Sequence, residues 1–202
     1  METLRAILAD IWSAPEKTLG YAATLAILSG IGWLISRFFG ERDSRRRQQL
    51  IWQADFTAKQ LEELYGPLAF LVTEGEQTFV DLLGRLGRNY VFDDDKLLPR
   101  SDLSTWLFWV EQDFLPRNRQ IRALLATKAH LIEGAILPKS FVQFLKHQSS
   151  WELAHCRWKK ENVEYSWHLE INWPDSFPRD VLETFKILKD RHSRLVGKLS
   201  GS

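Results

Sequence analysis

The chain has 202 residues, 26% of them charged, and a net charge of +1. This length holds one ordinary domain, or a domain plus an anchor, and excludes two large domains. A hydrophobic content of 45% excludes a disordered or collagen-like chain, and the near-neutral balance excludes a nucleic-acid binder that is basic over its whole surface.

The single cysteine, Cys156, cannot form a disulfide within the chain, which is compatible with a reducing compartment. Residues 1–15 place Leu4, Ile7, Leu8, Ile11 and Trp12 at helical spacing, and Pro15 breaks the pattern. This predicts an amphipathic helix lying in a membrane interface; a cap on the helix that follows is the other reading. Residues 18–36 then contain no charge. A helix of that length spans about 28 Å, close to the hydrocarbon core. The pattern predicts a transmembrane helix over residues 17–39. A signal peptide fits poorly, because the preceding region is not net positive and no small-residue cleavage site follows. Arg37, Arg42, Arg45, Arg46 and Arg47 follow the run, whereas Arg5 and Lys17 before it are outnumbered by Glu2, Asp10 and Glu16. The positive-inside rule therefore predicts an external N-terminus and a cytoplasmic C-terminal domain. Within the run, Ala22, Ala26 and Gly30 recur every fourth residue. Such rows let two membrane helices approach closely, although small residues are common in these helices in any case.

Residues 40–66 read as a basic flank and stalk helix. Arg45, Arg46 and Arg47 are candidate contacts to lipid phosphates. Ile51, Ala54, Ala58, Leu61, Tyr65 and Leu68 step by three and four, which suits either a coiled-coil seam between copies or packing inside a bundle. Gly66-Pro67 is predicted to kink or end this helix.

Residues 67–199 predict a helical domain. Leu68, Leu71, Val72, Phe79, Leu82, Leu83 and Leu86 mark one helix, ended by Gly84 and Gly87. Residues 88–101 read as a loop, with Asp93, Asp94 and Asp95 solvated rather than bound to a cation. Ser101 or Asp102 is predicted to cap a helix carrying Leu103, Trp106, Leu107, Val110 and Phe114, which Pro116 breaks or kinks. Ile121, Leu124, Leu125 and Ile132 mark the next helix, and residues 140–162 another. Residues 163–176 are aromatic and irregular. The last helix starts near Pro178, capped by Asp175 or Ser176, and carries Val181, Phe185, Leu188, His192, Leu195 and Leu199. Residues 200–202 read as a tail. No segment alternates over a strand length, so the fold class is all-α: one membrane helix and a bundle of five or six helices.

Two groups of side chains could carry chemistry. Phe144, His147, Trp151, His155 and Trp158 lie on one helical face. Its last four residues could form a ligand or partner face, but the favoured reading is a buried seam of the helix with its polar tips hydrogen-bonded. His147 and His155 are about 12 Å apart along such a helix and cannot share a metal ion. Arg117, Arg119 and Arg122 could hold phosphate or face anionic lipid. No phosphate loop, zinc-protease or hydrolase motif is present, and no arginine stands five to seven positions before a histidine as in helical ribonucleases of the HEPN type. The sequence calls for no cofactor, no metal and no catalytic residue.

Glu63-Leu64-Tyr65-Gly66-Pro67-Leu68 after a membrane helix resembles a set of bacterial single-pass inner-membrane proteins of uncharacterised activity. So do Phe114-Leu115-Pro116-Arg117-Asn118, Lys128-Ala129-His130-Leu131-Ile132-Glu133-Gly134, Arg157-Trp158, Tyr165-Ser166-Trp167-His168 and Ile171-Asn172-Trp173-Pro174. The resemblance spans about residues 50–195 and implies a bacterial membrane protein with a helical cytoplasmic domain. The layout is also similar to membrane effectors of antiviral defence systems, some of which form rings or pores. The expected function is a self-associating effector that perturbs or permeates the inner membrane. Its homo-oligomer contacts would be Ala22, Ala26, Gly30, Ile51, Ala54, Ala58 and Leu61. The alternative is a membrane-tethered adaptor that binds a cytoplasmic protein or nucleic acid.

Overall fold

A computed structural model describes residues 15–92, 99–161 and 172–201; in the first helix the side chains of residues 15–23, 34–41 and 43 are left aside. The predicted interfacial helix over residues 1–15, the loop aspartates 93–95 and most of the aromatic segment 163–176 lie outside the described residues. The described residues are mostly helical, and no strand occurs among them. The elements are α1 (Pro15–Gln60), a π-helical turn (Leu61–Tyr65), α2 (Gly66–Leu86), α3 (Arg100–Trp109), a second π-helical turn (Val110–Phe114), α4 (Leu115–Thr127), a 3₁₀ turn (Ala129–Leu131), α5 (Lys139–Glu161) and α6 (Ser176–Ser200). The chain divides into two compact units, Met1–Trp52 and Gln53–Ser202.

In the first unit, α1 covers the uncharged run, and side chains are described only for residues 24–33 of it. All ten are exposed; Leu25 is 65% and Trp33 60% accessible. Among the described residues no helix is long and apolar enough to cross a membrane.

The second unit holds five helices after the first π turn, which agrees with the all-α class. Two prolines expected to kink or end helices do not end them. Pro67 and Pro116 each follow a π turn, and the helix runs on. A proline has no N–H, and its ring collides with the carbonyl four residues back. Widening the helix by one residue removes that collision. The bonds show the wider ring: the Gly66 N–H donates to the Leu61 carbonyl, and the Leu115 N–H donates to the Val110 carbonyl.

Three other boundaries depart from expectation. The helix with Ile121 ends at Thr127, and Ile132 sits beyond the 3₁₀ turn in extended backbone. The helix with Leu103 begins at Arg100, because Pro99 takes the cap position and its carbonyl accepts from the Asp102 and Leu103 N–H groups. Asp102 pairs with Arg88 instead of capping. Asp175 stands at the cap of α6 but makes no side-chain cap bond. The end of α2 follows the sequence: Gly87 adopts φ 63°, its N–H donates to the Gly84 carbonyl, and the Arg88 N–H reaches the Leu83 carbonyl.

Two cores fill the unit. The first joins Leu64, Tyr65, Leu68 and Val72 to Ile121, Leu125, Phe141, Phe144, Phe177, Val181 and Leu188. The second joins Leu82 and Val91 to Trp106, Val110, Phe114, Leu115 and Trp151. Helix α5 links them, since Phe144 stacks on Phe177 at 4.5 Å in one and Trp151 stacks on Trp106 at 6.0 Å in the other.

Candidate functional site

Each π turn is the centre of a polar cluster. At the first, α1 ends in Gln60, a fully buried side chain. Its Nε2 donates to the Leu131 carbonyl and to Glu133 Oε2, both at 3.0 Å. The Tyr65 hydroxyl, buried in the core, accepts from the Glu133 N–H at 3.0 Å. Glu133 also accepts from Arg191 of α6 at 2.7 Å, and Lys128 pairs with Glu63 at 2.6 Å. The motif Glu63–Leu68 and the motif Lys128–Gly134, 60 residues apart in sequence, are thus two halves of one joint. Hydrogen bonding from Arg191 holds the Glu133 carboxyl below its usual range against the opposing effect of burial, and Gln60 adds to the lowering. The Lys128 hydrogen bond does the same for Glu63. Burial pushes the Tyr65 hydroxyl up, so it stays neutral at physiological pH.

The second π turn supplies Glu111 and Asp113. Arg117, with a side chain only 7% exposed, pairs with Asp113 and with Glu74 at 3.3 Å and donates to Thr78 Oγ1 at 3.0 Å. Gly75 lets it lie close, since a Cβ there would stand 3.3 Å from Nη1. Glu111 accepts from Lys159 at 2.9 Å and faces His155 Nε2 at 3.2 Å. The Lys159 hydrogen bond is the main cause that lowers the Glu111 carboxyl.

The predicted site residues fall into separate places. His147, Trp151 and His155 are buried and Trp158 is half-buried against the second core, so this face is a seam of the bundle. Arg117 turns inward, whereas Arg119 and Arg122 are exposed and converge on Glu152 at 2.6 and 3.7 Å. The three arginines do not form one anion site, because positions two apart on a helix face different ways. Ala54 is buried, Leu61 packs against the first core of the same chain, Ala58 is half-buried, and Ile51 is exposed. Ala26 is exposed, and a Cβ on Gly30 would meet nothing within 4 Å; the side chain of Ala22 is outside those described. Arg45, Arg46 and Arg47 are exposed on α1.

Sequence reading missed Gln60, Asp113, Glu74 and Arg191. Gln60, Glu74 and Arg191 find their partners 43 to 73 residues away, whereas Asp113 pairs with Arg117 four positions along the same helix. Among the described residues no group of three His, Cys, Asp or Glu side chains could hold a metal ion. Both clusters tie helices together across long stretches of sequence, and their carboxylates are paired with cations. An open cleft of about 410 Å³ between Arg85, Ser104, Thr105, Phe108 and Trp109 has its two hydroxyls already donating to the Ser101 carbonyl.

No protein-family model, curated protein or solved structure matches this chain.

Proposed function

We propose that this protein is a bacterial inner-membrane effector: residues 17–39 span the bilayer, the N-terminus is outside, and the helical unit from Gln53 onward is cytoplasmic. The carrying observation is the uncharged run inside α1, in which residues 24–33 are exposed on every side. A helix apolar all round needs lipid or other chains about it. Arg42, Arg45, Arg46 and Arg47 beyond the run support the orientation and a contact with anionic headgroups.

Self-association completes the reading. Ala26 and Gly30 leave room for a second helix to approach, and Ala22 extends the same row. The effector acts by disturbing or permeating the membrane, in the manner of antiviral effectors of similar layout. For the adaptor reading, Trp106 and Trp151 lie in the core and are not available as anchors, whereas Trp52 and Trp173 are exposed.

The test is the detergent-corrected mass of the full-length protein. A closed assembly of several subunits that shrinks when Ala26 or Gly30 becomes Leu is the expected result. A monomer would remove the effector reading and favour the tethered adaptor.

A further inference from the structure

The solvent side of α5 is basic along its whole length. Its exposed side chains hold five cations and a single carboxylate, Glu161. At about 100° per residue, Lys139, Lys146, Arg157 and Lys160 fall within about 60° of one another. Ser150 and Leu153 lie in the same arc. Phe144, Gln148 and His155 are buried on the opposite side, which turns this arc outward. The row runs about 32 Å from Lys139 to Lys160. Arg157 pairs with Glu161 at 2.9 Å, and the fifth cation, Lys159, reaches Glu111 outside the arc. Among the described residues, Lys139, Lys146 and Lys160 form no ion pair.

Helix α4 borders this row. It has no carboxylate between Leu115 and Thr127, and its exposed Arg119 and Arg122 both turn to Glu152 on the flank of α5. The joined surface therefore holds six cations against two carboxylates, in a chain whose net charge is only +1. Its exposed apolar groups are Leu153, Ala123 and Ala126, and neither helix exposes an aromatic side chain. A protein partner is anchored by aromatic or large apolar side chains, which this surface lacks. A helix that lies on a membrane needs an apolar face free to enter the lipid, and the apolar face of α5 is buried in the two cores. Stacking of single-stranded bases needs aromatic platforms. The phosphates of a duplex need none of these; cations and hydrogen-bond donors hold them.

We infer that the α4–α5 surface binds duplex nucleic acid through its phosphates, without reading the bases. Lys139, Lys146, Arg157 and Lys160 follow the backbone over about one duplex turn, roughly 34 Å, and Arg119 and Arg122 widen the contact on one side. Ser150 offers a hydroxyl to a phosphate oxygen from the middle of the row. The inference goes beyond the membrane reading above and does not depend on it, since every residue involved belongs to the helical unit.

Fluorescence anisotropy of a labelled DNA duplex of about two turns, titrated with full-length protein in non-ionic detergent, tests it. A local excess of four charges predicts that log affinity falls with log salt at a slope of about −3.6. Lys146→Gln with Lys160→Gln should weaken binding at least about tenfold at low salt and make the slope shallower by about 2. Lys146→Arg with Lys160→Arg should keep both the affinity and the slope. Ser150→Glu, a single change at an exposed position, should weaken binding independently of the lysine pair. No binding at about 50 mM salt would overturn the assignment. So would an unchanged slope in the Gln pair together with loss of binding when Arg45, Arg46 and Arg47 all become Gln, because the phosphates would then sit on α1. Phosphatidylglycerol in mixed micelles, at the same phosphate concentration, is the competitor. If it displaces the duplex and binds the Gln pair more weakly than the wild type, the surface belongs to lipid and the duplex assignment is wrong.

Discussion

Tyr65 and Glu133 meet through a single hydrogen bond that ties the 128–134 segment to the helix joint. Tyr65→Phe keeps the buried ring and leaves the Glu133 N–H without this acceptor, so it should cost about 1–2 kcal/mol in chemical denaturation. Glu133 adds a pH signature. Its carboxyl is held below the usual range in the folded protein, first by Arg191. A depressed folded value means that the contribution is fully present above the unfolded value of about 4.3 and is lost as pH falls through the folded one. Glu133→Gln should therefore be destabilising at pH 7, and its deficit should shrink as pH falls below about 4. An equal deficit at both pH values would contradict the ion pair. Arg117 is the corresponding residue of the second joint. Arg117→Ala leaves Asp113 and Glu74 without their cation, and a loss of about 2–4 kcal/mol is expected. Arg117→Lys should recover only part, because one ammonium cannot serve three acceptors in the same fixed fork.

At the scale of elements, the π turns explain why two prolines sit within continuous helix. Gly66 is the tightest point: a Cβ there would stand 2.6 Å from the Leu61 carbonyl oxygen, which is backbone and cannot move aside. Gly66→Ala should lower stability by about 1–3 kcal/mol. Gly84 lies in the same helix with open space around it. Gly84→Ala should be neutral or stabilising by up to about 1 kcal/mol through helix propensity. Thermal melts of the two variants side by side check this, and equal effects would argue against the wide turn. The periodic apolar faces of α2, α3 and α6 were legible in the sequence, since Leu68, Trp106, Val181 and Leu188 are buried where their spacing put them. The cap of α3 was not, because Pro99 fixes the entry backbone at φ −51° and frees Asp102 to pair with Arg88.

For the whole molecule, the proposed topology makes its own prediction. A cysteine placed at Ser193, with Cys156→Ser, should resist a membrane-impermeant thiol reagent in intact cells and react after permeabilisation. The protein should stay in the membrane pellet at alkaline pH. Labelling of intact cells would reverse the orientation, and release into the supernatant would remove the span.

The sequence by itself determined the helical class, the places of most helices and the uncharged run of residues 18–36, because apolar periodicity and charge-free length are local properties of the chain. Only the tertiary structure decided which polar residues matter. Gln60 with Glu133 and Arg117 with Glu74 are long-range pairs, and no spacing rule connects residues 73 or 43 positions apart. It also placed His147, Trp151 and His155 inside the bundle. A stripe of aromatics has the same spacing whether another helix or solvent lies against it, and only the packing of α3 against α5, seen in the stacking of Trp106 on Trp151, tells the two apart.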